Sequence, residues 1–195
     1  MSKQIVVIHG GDSFVTRREF FKFLQSITVK KEDFYLKKSW QTLLAKQLGN
    51  GYDVFNPRMP NNHNARYDEW SIWFEKMLQF LQDGVVLIGH SQGGIFLAKY
   101  LSEHTLPILI DKLILVAAPH SESENLGDFA LTGLLERVWQ QCQNIHLFQS
   151  EDDPVVNPHE VEKYKVAWPK AVVHMCTNRG HFNQDDFPEL IKLLL

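Results

Sequence analysis

A serine set between two glycines is the feature of this sequence whose residue types and spacing could do covalent chemistry. Residues 85–94 read Val-Val-Leu-Ile-Gly-His-Ser-Gln-Gly-Gly: an apolar run, then G-x-S-x-G centred on Ser91, then a helix-spaced run with Ile95, Phe96, Leu97, Tyr100 and Leu101. A strand, a sharp turn and a helix in that order hold a serine exposed at a nucleophile elbow, with the first helix amide facing a reacting carbonyl. The bare pattern arises by chance in roughly one chain in fifteen of this length. The strand before it and the helix after it make accident the weaker explanation.

Such a serine needs a base, and the base needs a group that orients it. At this kind of elbow they follow in the chain order serine, acid, histidine. Beyond the acidic cluster Glu151-Asp152-Asp153 lie His159, His174 and His181. His174 falls inside an apolar strand and His159 at a helix start, whereas His181 follows Gly180 in a loop from which its ring can swing toward Ser91. His181 is therefore the expected base. Asp153 precedes Pro154 and the apolar pair Val155-Val156, which can anchor its loop, so Asp153 is the favoured acid and Asp152 the fallback. Two backbone amides should hold an oxyanion: Gln92 at the helix start, and Gly11 in His9-Gly10-Gly11-Asp12. That diglycine is no nucleotide-binding loop, because G-x-G-x-x-G and G-x-x-x-x-G-K are both absent.

The elements that must position these residues alternate along the chain. Short apolar runs at 5–8, 52–55, 85–88, 113–116, 145–148 and 171–174 have the length and near-continuous apolarity of strands covered on both faces. Helical spacing marks residues 65–82, with Trp70, Trp73, Phe74, Met77, Leu78 and Leu81 on one stripe. It also marks a helix capped by Ser39, burying Trp40, Leu43, Leu44 and Leu48 and stopping at Gly49. Further helices are expected at 93–104, 126–142, 159–166 and 186–195. The alternation predicts an α/β fold, a doubly wound, mostly parallel six-stranded sheet flanked by helices, in which ligands bind beyond the carboxyl ends of the strands.

Composition is consistent with one such core. The chain has 195 residues, 44% hydrophobic and 22% charged, which suits a single ordinary globular domain. Its formal net charge of −3 leaves no basic block for a phosphate backbone, so nucleic acid is not an expected partner. No apolar stretch approaches the length of a membrane span, and the first residues lack a secretory pattern. Cys142 and Cys176 give neither a short-spaced zinc pair nor a disulfide framework, so a reducing cytoplasm is expected and no metal or organic cofactor is implied. Residues 12–38 are too many for a strand-to-helix loop. They interleave Arg17, Arg18, Lys22, Lys30 and Lys31 with Phe14, Phe20, Phe21, Phe23 and Phe34, and are read as an inserted amphipathic segment near the site, either a small flap over it or a surface helix packed elsewhere.

His9-Gly10-Gly11, Met59-Pro60, Ala65-Arg66, Trp70, Ile88-Gly89-His90-Ser91, Asp152-Asp153-Pro154 and Gly180-His181-Phe182 together resemble the small α/β-hydrolase family typified by retinoblastoma-binding protein nine. The likeness covers most of the chain apart from 12–38. It implies a compact serine hydrolase without a large cap domain, carries a triad onto Ser91, Asp153 and His181, and favours Asp153 over Asp152. Where the family's type member has L-x-C-x-E, this chain reads Leu78-Gln79-Phe80-Leu81-Gln82, so retinoblastoma-protein binding is not expected. The expected activity is cleavage of a small-molecule ester, thioester or small amide through an acyl-enzyme on Ser91, with Met59, Trp70, His120 and Phe182 around the substrate. The competing expectation is a non-catalytic binding protein that keeps the hydrolase fold.

Overall fold

The computed structural model describes residues 2–35, 38–121, 126–131 and 135–195. Strands β1 (Lys3–Ile8), β2 (Tyr52–Phe55), β3 (Val85–His90), β4 (Ile110–Val116), β5 (Ile145–Ser150) and β6 (Val172–Cys176) form one six-stranded sheet in the order β2-β1-β3-β4-β5-β6. Every pairing is parallel. All six runs expected from the sequence are strands, and the doubly wound α/β architecture is as expected.

The period-two alternation of side chains explains why the central strands are apolar without interruption. In β1 and β3, Val6, Ile8, Val85 and Leu87 face one core, where they meet Trp70 and Phe74 of α3 (Tyr67–Leu78) and Phe96 and Leu101 of α4 (Gln92–Glu103). Their neighbours Ile5, Val7, Val86 and Ile88 face the other, against Trp40, Leu44 and Leu48 of α2 (Trp40–Leu48) and Leu190 and Leu194 of α7 (Pro188–Leu194). Helix α2 starts where its cap requires: the Ser39 hydroxyl accepts from the Thr42 N–H, and Gly49 ends the helix at φ 77°. Leu43 is only partly buried.

Two helical expectations need correction. Residues 126–142 are not one helix: a 3₁₀ turn at Gly127–Phe129 precedes α5 (Glu136–Gln141). Gly127 has φ 51°, which an α-helix cannot contain, and a side chain there would strike Ser13. Residues 132–134 of that expected helix lie outside the described residues. On α3, Trp73 is 46% exposed rather than part of the buried stripe with Trp70 and Phe74.

The segment after β1 does contain a helix, α1 (Arg17–Ser26). The Thr16 hydroxyl accepts from the Glu19 N–H, and the Glu19 carboxylate accepts from the Thr16 N–H. Phe14 is the buried anchor; Phe20 and Phe23 pack on it with ring centres 5.7 and 4.9 Å away, yet no residue of α1 is itself buried. The remaining helix, α6 (Glu160–Ala167), has His159 as its first flanking residue.

Candidate active site

The reversal of strand order between β1 and β3 opens a crevice at their carboxyl ends, the place where this fold binds ligands. Ser91 stands there, between β3 and α4, with φ 52° and ψ −121°, a conformation rarely adopted by a residue with a side chain. Its neighbours show why glycine flanks it. A side chain at Gly89 would strike the Gly93 carbonyl, and one at Gly93 would strike the Ile8 carbonyl. Gly94, outside the motif, is equally constrained by Ala118. The Ser91 N–H donates to the Val116 carbonyl at 2.8 Å and its own carbonyl accepts from Gly94 at 2.8 Å. These contacts hold the turn from both sides.

His181 lies in the loop after β6, between Gly180 at φ 50° and Phe182 at φ 52°. Its Nδ1 lies 2.9 Å from Asp153 Oδ2 and 3.1 Å from Oδ1. Asp153 Oδ1 also accepts from the N–H groups of Val155 and Val156 at 2.8 and 3.0 Å, so the proline-anchored turn does hold the carboxylate. Burial opposes charge on Asp153, but the hydrogen bonds from His181, Val156 and Val155 outweigh it and lower its pKa. Asp152 faces elsewhere: it accepts from Ser150 Oγ and from the Gly180 N–H, tying the ends of β5 and β6 together.

His90 fixes the backbone of the histidine loop by donating from Nε2 to the His181 carbonyl at 2.8 Å. Trp40 Nε1 does the same for the Phe182 carbonyl at 2.9 Å. Burial, with His181 nearby, pushes the His90 pKa down to about 4, so the ring stays neutral and keeps that single donor. His9 is neutral for a similar reason, since burial lowers its pKa. It donates from Nδ1 to the Gly10 carbonyl and accepts at Nε2 from the Met59 N–H, pinning the β2–α3 loop to the β1 loop.

Ser91, His181, His90, Gly10, Gly11 and Met59 all line one cavity of about 770 Å³. Gly10 is the glycine that faces the serine, its missing Cβ falling 3.1 Å from Ser91 Cβ, while Gly11 lies against Asn62 and Trp70. Among the described residues, no three His, Cys, Asp or Glu side chains are grouped as metal ligands.

A family model described as "Serine hydrolase" matches residues 36–191.

The chain belongs to the serine hydrolase family.

Among curated relatives, the serine hydrolase RBBP9 of Rattus norvegicus is 30% identical over 150 residues, covering 74% of this chain and 77% of that protein. The ydeN gene product of B. subtilis superposes with a TM-score of 0.74 at 18% identity, covering 99% of this chain and 97% of that one. A yden-like hydrolase of Pectobacterium atrosepticum gives 0.65, also at 18% identity, over 99% and 89% of the two chains. At that identity the structural likeness carries the α/β-hydrolase fold. No helix among the described residues is long and apolar enough to cross a membrane.

The serine hydrolase's cavity differs from the pocket expected around Met59, Trp70, His120 and Phe182. Only Met59 lines it. Trp70 is fully buried, donating to the Pro60 carbonyl beneath the glycine loop, and Phe182 packs against Phe187 in the other core. His120 sits edge-on to Tyr164, its backbone N–H held by Glu160, because the chain turns away after β4. The walls come instead from Asp12, Gln41, Thr42, Arg58, His63 and Asn183, with Val155 among the few apolar members. Asp12 and Arg58 lay within the strand-end segments that the fold singles out. Gln41 and Thr42 open α2, which no local signal ties to the site. Burial raises the Asp12 pKa, opposed by the nearby His63 and His181. None of the described residues from 13 to 38 lines this cavity.

Proposed function

We propose that this serine hydrolase cleaves a carboxylic ester, thioester or small amide through an acyl-enzyme on Ser91, with His181 as general base and Asp153 as its partner. The observation that carries the reading is the Asp153–His181 pair, 2.9 Å apart, opening into the cavity that also holds Ser91. The Ser91 oxygen attacks the carbonyl carbon as its proton passes to His181 Nε2, while Asp153 holds the Nδ1 proton and stabilises the imidazolium. The tetrahedral intermediate collapses, the bond to the leaving group breaks, and that group departs with the proton from His181. Water, deprotonated by the same nitrogen, then releases the acid and frees Ser91.

The negative oxygen of the intermediate is assigned to the Gln92 N–H, at the start of α4, and to an N–H of the Gly10-Gly11 turn. Both stand beside Ser91 where no side chain intervenes at Gly10. The test is labelling by a fluorophosphonate probe, joined to turnover of a panel of p-nitrophenyl esters and thioesters. Wild type should label at Ser91 and turn over part of the panel, and Ser91→Ala should do neither. Full labelling of Ser91→Ala would refute the nucleophile. Absence of both signals in wild type would favour a binding protein on a hydrolase fold.

A further inference from the structure

The segment from Phe14 to Tyr35 presents an apolar surface that the fold leaves uncovered. Phe20 and Phe23 turn inward onto Phe14, but Phe21 and Leu24 on the outer flank of α1 remain 45% and 42% exposed. Beyond the helix, Ile27, Val29, Phe34 and Tyr35 are 43%, 55%, 76% and 59% exposed. Aromatic and aliphatic exposure concentrated in so short a stretch marks an interaction surface.

Charge indicates what covers it. Arg17, Arg18, Lys22, Lys30 and Lys31 outnumber Glu19, Glu32 and Asp33 here, whereas the whole chain carries −3. Glu19 is moreover engaged in the cap of α1. Arg17 lies over the Phe21 ring at 5.1 Å, so cation and aromatic stand side by side at one end of the exposed stripe. A second copy of this chain is a poor occupant of such a face, because a two-fold contact would bring the two basic clusters together. An anionic lipid surface suits both properties at once: phosphates for the bases and an acyl boundary for the phenylalanines.

We propose that α1 and the turn after it form a docking face for anionic membrane. The face is independent of the chemistry assigned to Ser91. It also lies beside the site: Arg17 and Phe20 border a cleft that Asn62 and His63 line too, and those two residues also line the cavity of Ser91. Docking therefore leaves one loop between lipid and the catalytic mouth. Residues 36–191 match the serine hydrolase family model, so this face up to Tyr35 precedes the matched region.

Co-sedimentation of the full chain with phosphatidylcholine vesicles, with and without phosphatidylserine and at low and high salt, tests the proposal. Binding should be at least about tenfold tighter with phosphatidylserine and should weaken with salt. Phe21→Ser with Leu24→Ser should weaken it about tenfold, and Arg18→Glu with Lys22→Glu should abolish the preference for phosphatidylserine. All four side chains are exposed, so the variants should melt with wild type, and the salt series needs no variant at all. Equal binding to both vesicle types, or binding unchanged in both variants, overturns the proposal. So does a dimer by light scattering that Phe21→Ser with Leu24→Ser dissolves while vesicles bind no protein.

Discussion

The turn at Ser91 and the helix α1 are both short and both follow a strand, yet they are specified in opposite ways. At Ser91 the turn is closed in by packing: Gly89, Gly93 and Gly94 face the Gly93 carbonyl, the Ile8 carbonyl and Ala118, and β4 holds the serine amide. An unfavourable φ of 52° persists because packing leaves no alternative. Helix α1 has ordinary dihedrals, a complete capping box and no buried residue. One region is held by tertiary contact against its local preference, the other by local preference with little tertiary contact. Substitutions should therefore have large effects at the first and small ones at the second.

The largest effect should fall on the rate. Asp153→Asn leaves the His181 contact but removes the charge that stabilises the imidazolium, and should lower kcat about 10⁴-fold. Asp152→Asn disturbs only the tie between Ser150 and Gly180. It should cost about tenfold or less, through looser placement of the histidine loop. Equal losses in steady-state ester hydrolysis would mean that the two carboxylates are wrongly assigned.

Next comes stability at the turn. Gly93→Ala drives a methyl group into the Ile8 carbonyl and should cost about 3 kcal/mol in a urea melt. Gly51→Ala is the control within the same chain, since nothing lies within 4 Å of its missing Cβ, and should change stability by less than about 0.5 kcal/mol. A tolerated Gly93→Ala would show that the turn has slack.

His90 adds a pH dependence to the same region. Its pKa is pushed down to about 4 in the folded protein, while an unfolded histidine titrates near 6.5. Between those values the unfolded chain binds the extra proton, so stability is complete above about 6.5 and falls as the pH drops toward 4, by at most about 3 kcal/mol. Urea melts across that range should lose part of their slope in His90→Asn, the rest being carried by His9, His120, His146 and His174, whose pKa values burial also lowers. The segment 12–38 contains no histidine, so no histidine of that segment adds to this slope.

This contrast also explains what could be read in advance. Strands buried on both faces announce themselves as continuous apolar runs, and the Ser39 and Gly49 caps bound α2 by local chemistry. Ser91, Asp153 and His181 can be singled out because each follows a strand, where the fold itself limits the choice. The helix expected at 126–142 misled because Leu126, Phe129, Leu135 and Val138 are buried at helical-looking intervals, while the constraint at Gly127 is a contact with Ser13 far away in sequence. Phe182 stands next to His181 in sequence but is buried beneath the loop, and Trp70 is buried as well. Gln41, Thr42 and Asn183 reach the cavity only through the packing of α2 and the last loop, which no spacing records.

The smallest effect should be at the cap of α1. Thr16→Ala removes the hydroxyl that accepts from Glu19, an interaction worth about 1 kcal/mol to a helix. A helix that buries nothing can open without the sheet, so that loss should fall on local opening and leave the global transition in place. Hydrogen exchange of the α1 amides should accelerate about fivefold while the β3 amides keep their protection. The urea midpoint should stay where it is, and so should ester hydrolysis, since no residue of α1 lines the cavity of Ser91. If exchange in α1 and β3 rose together, α1 would be part of the cooperative core through Phe14, and the division between the two regions would have to be redrawn at that residue.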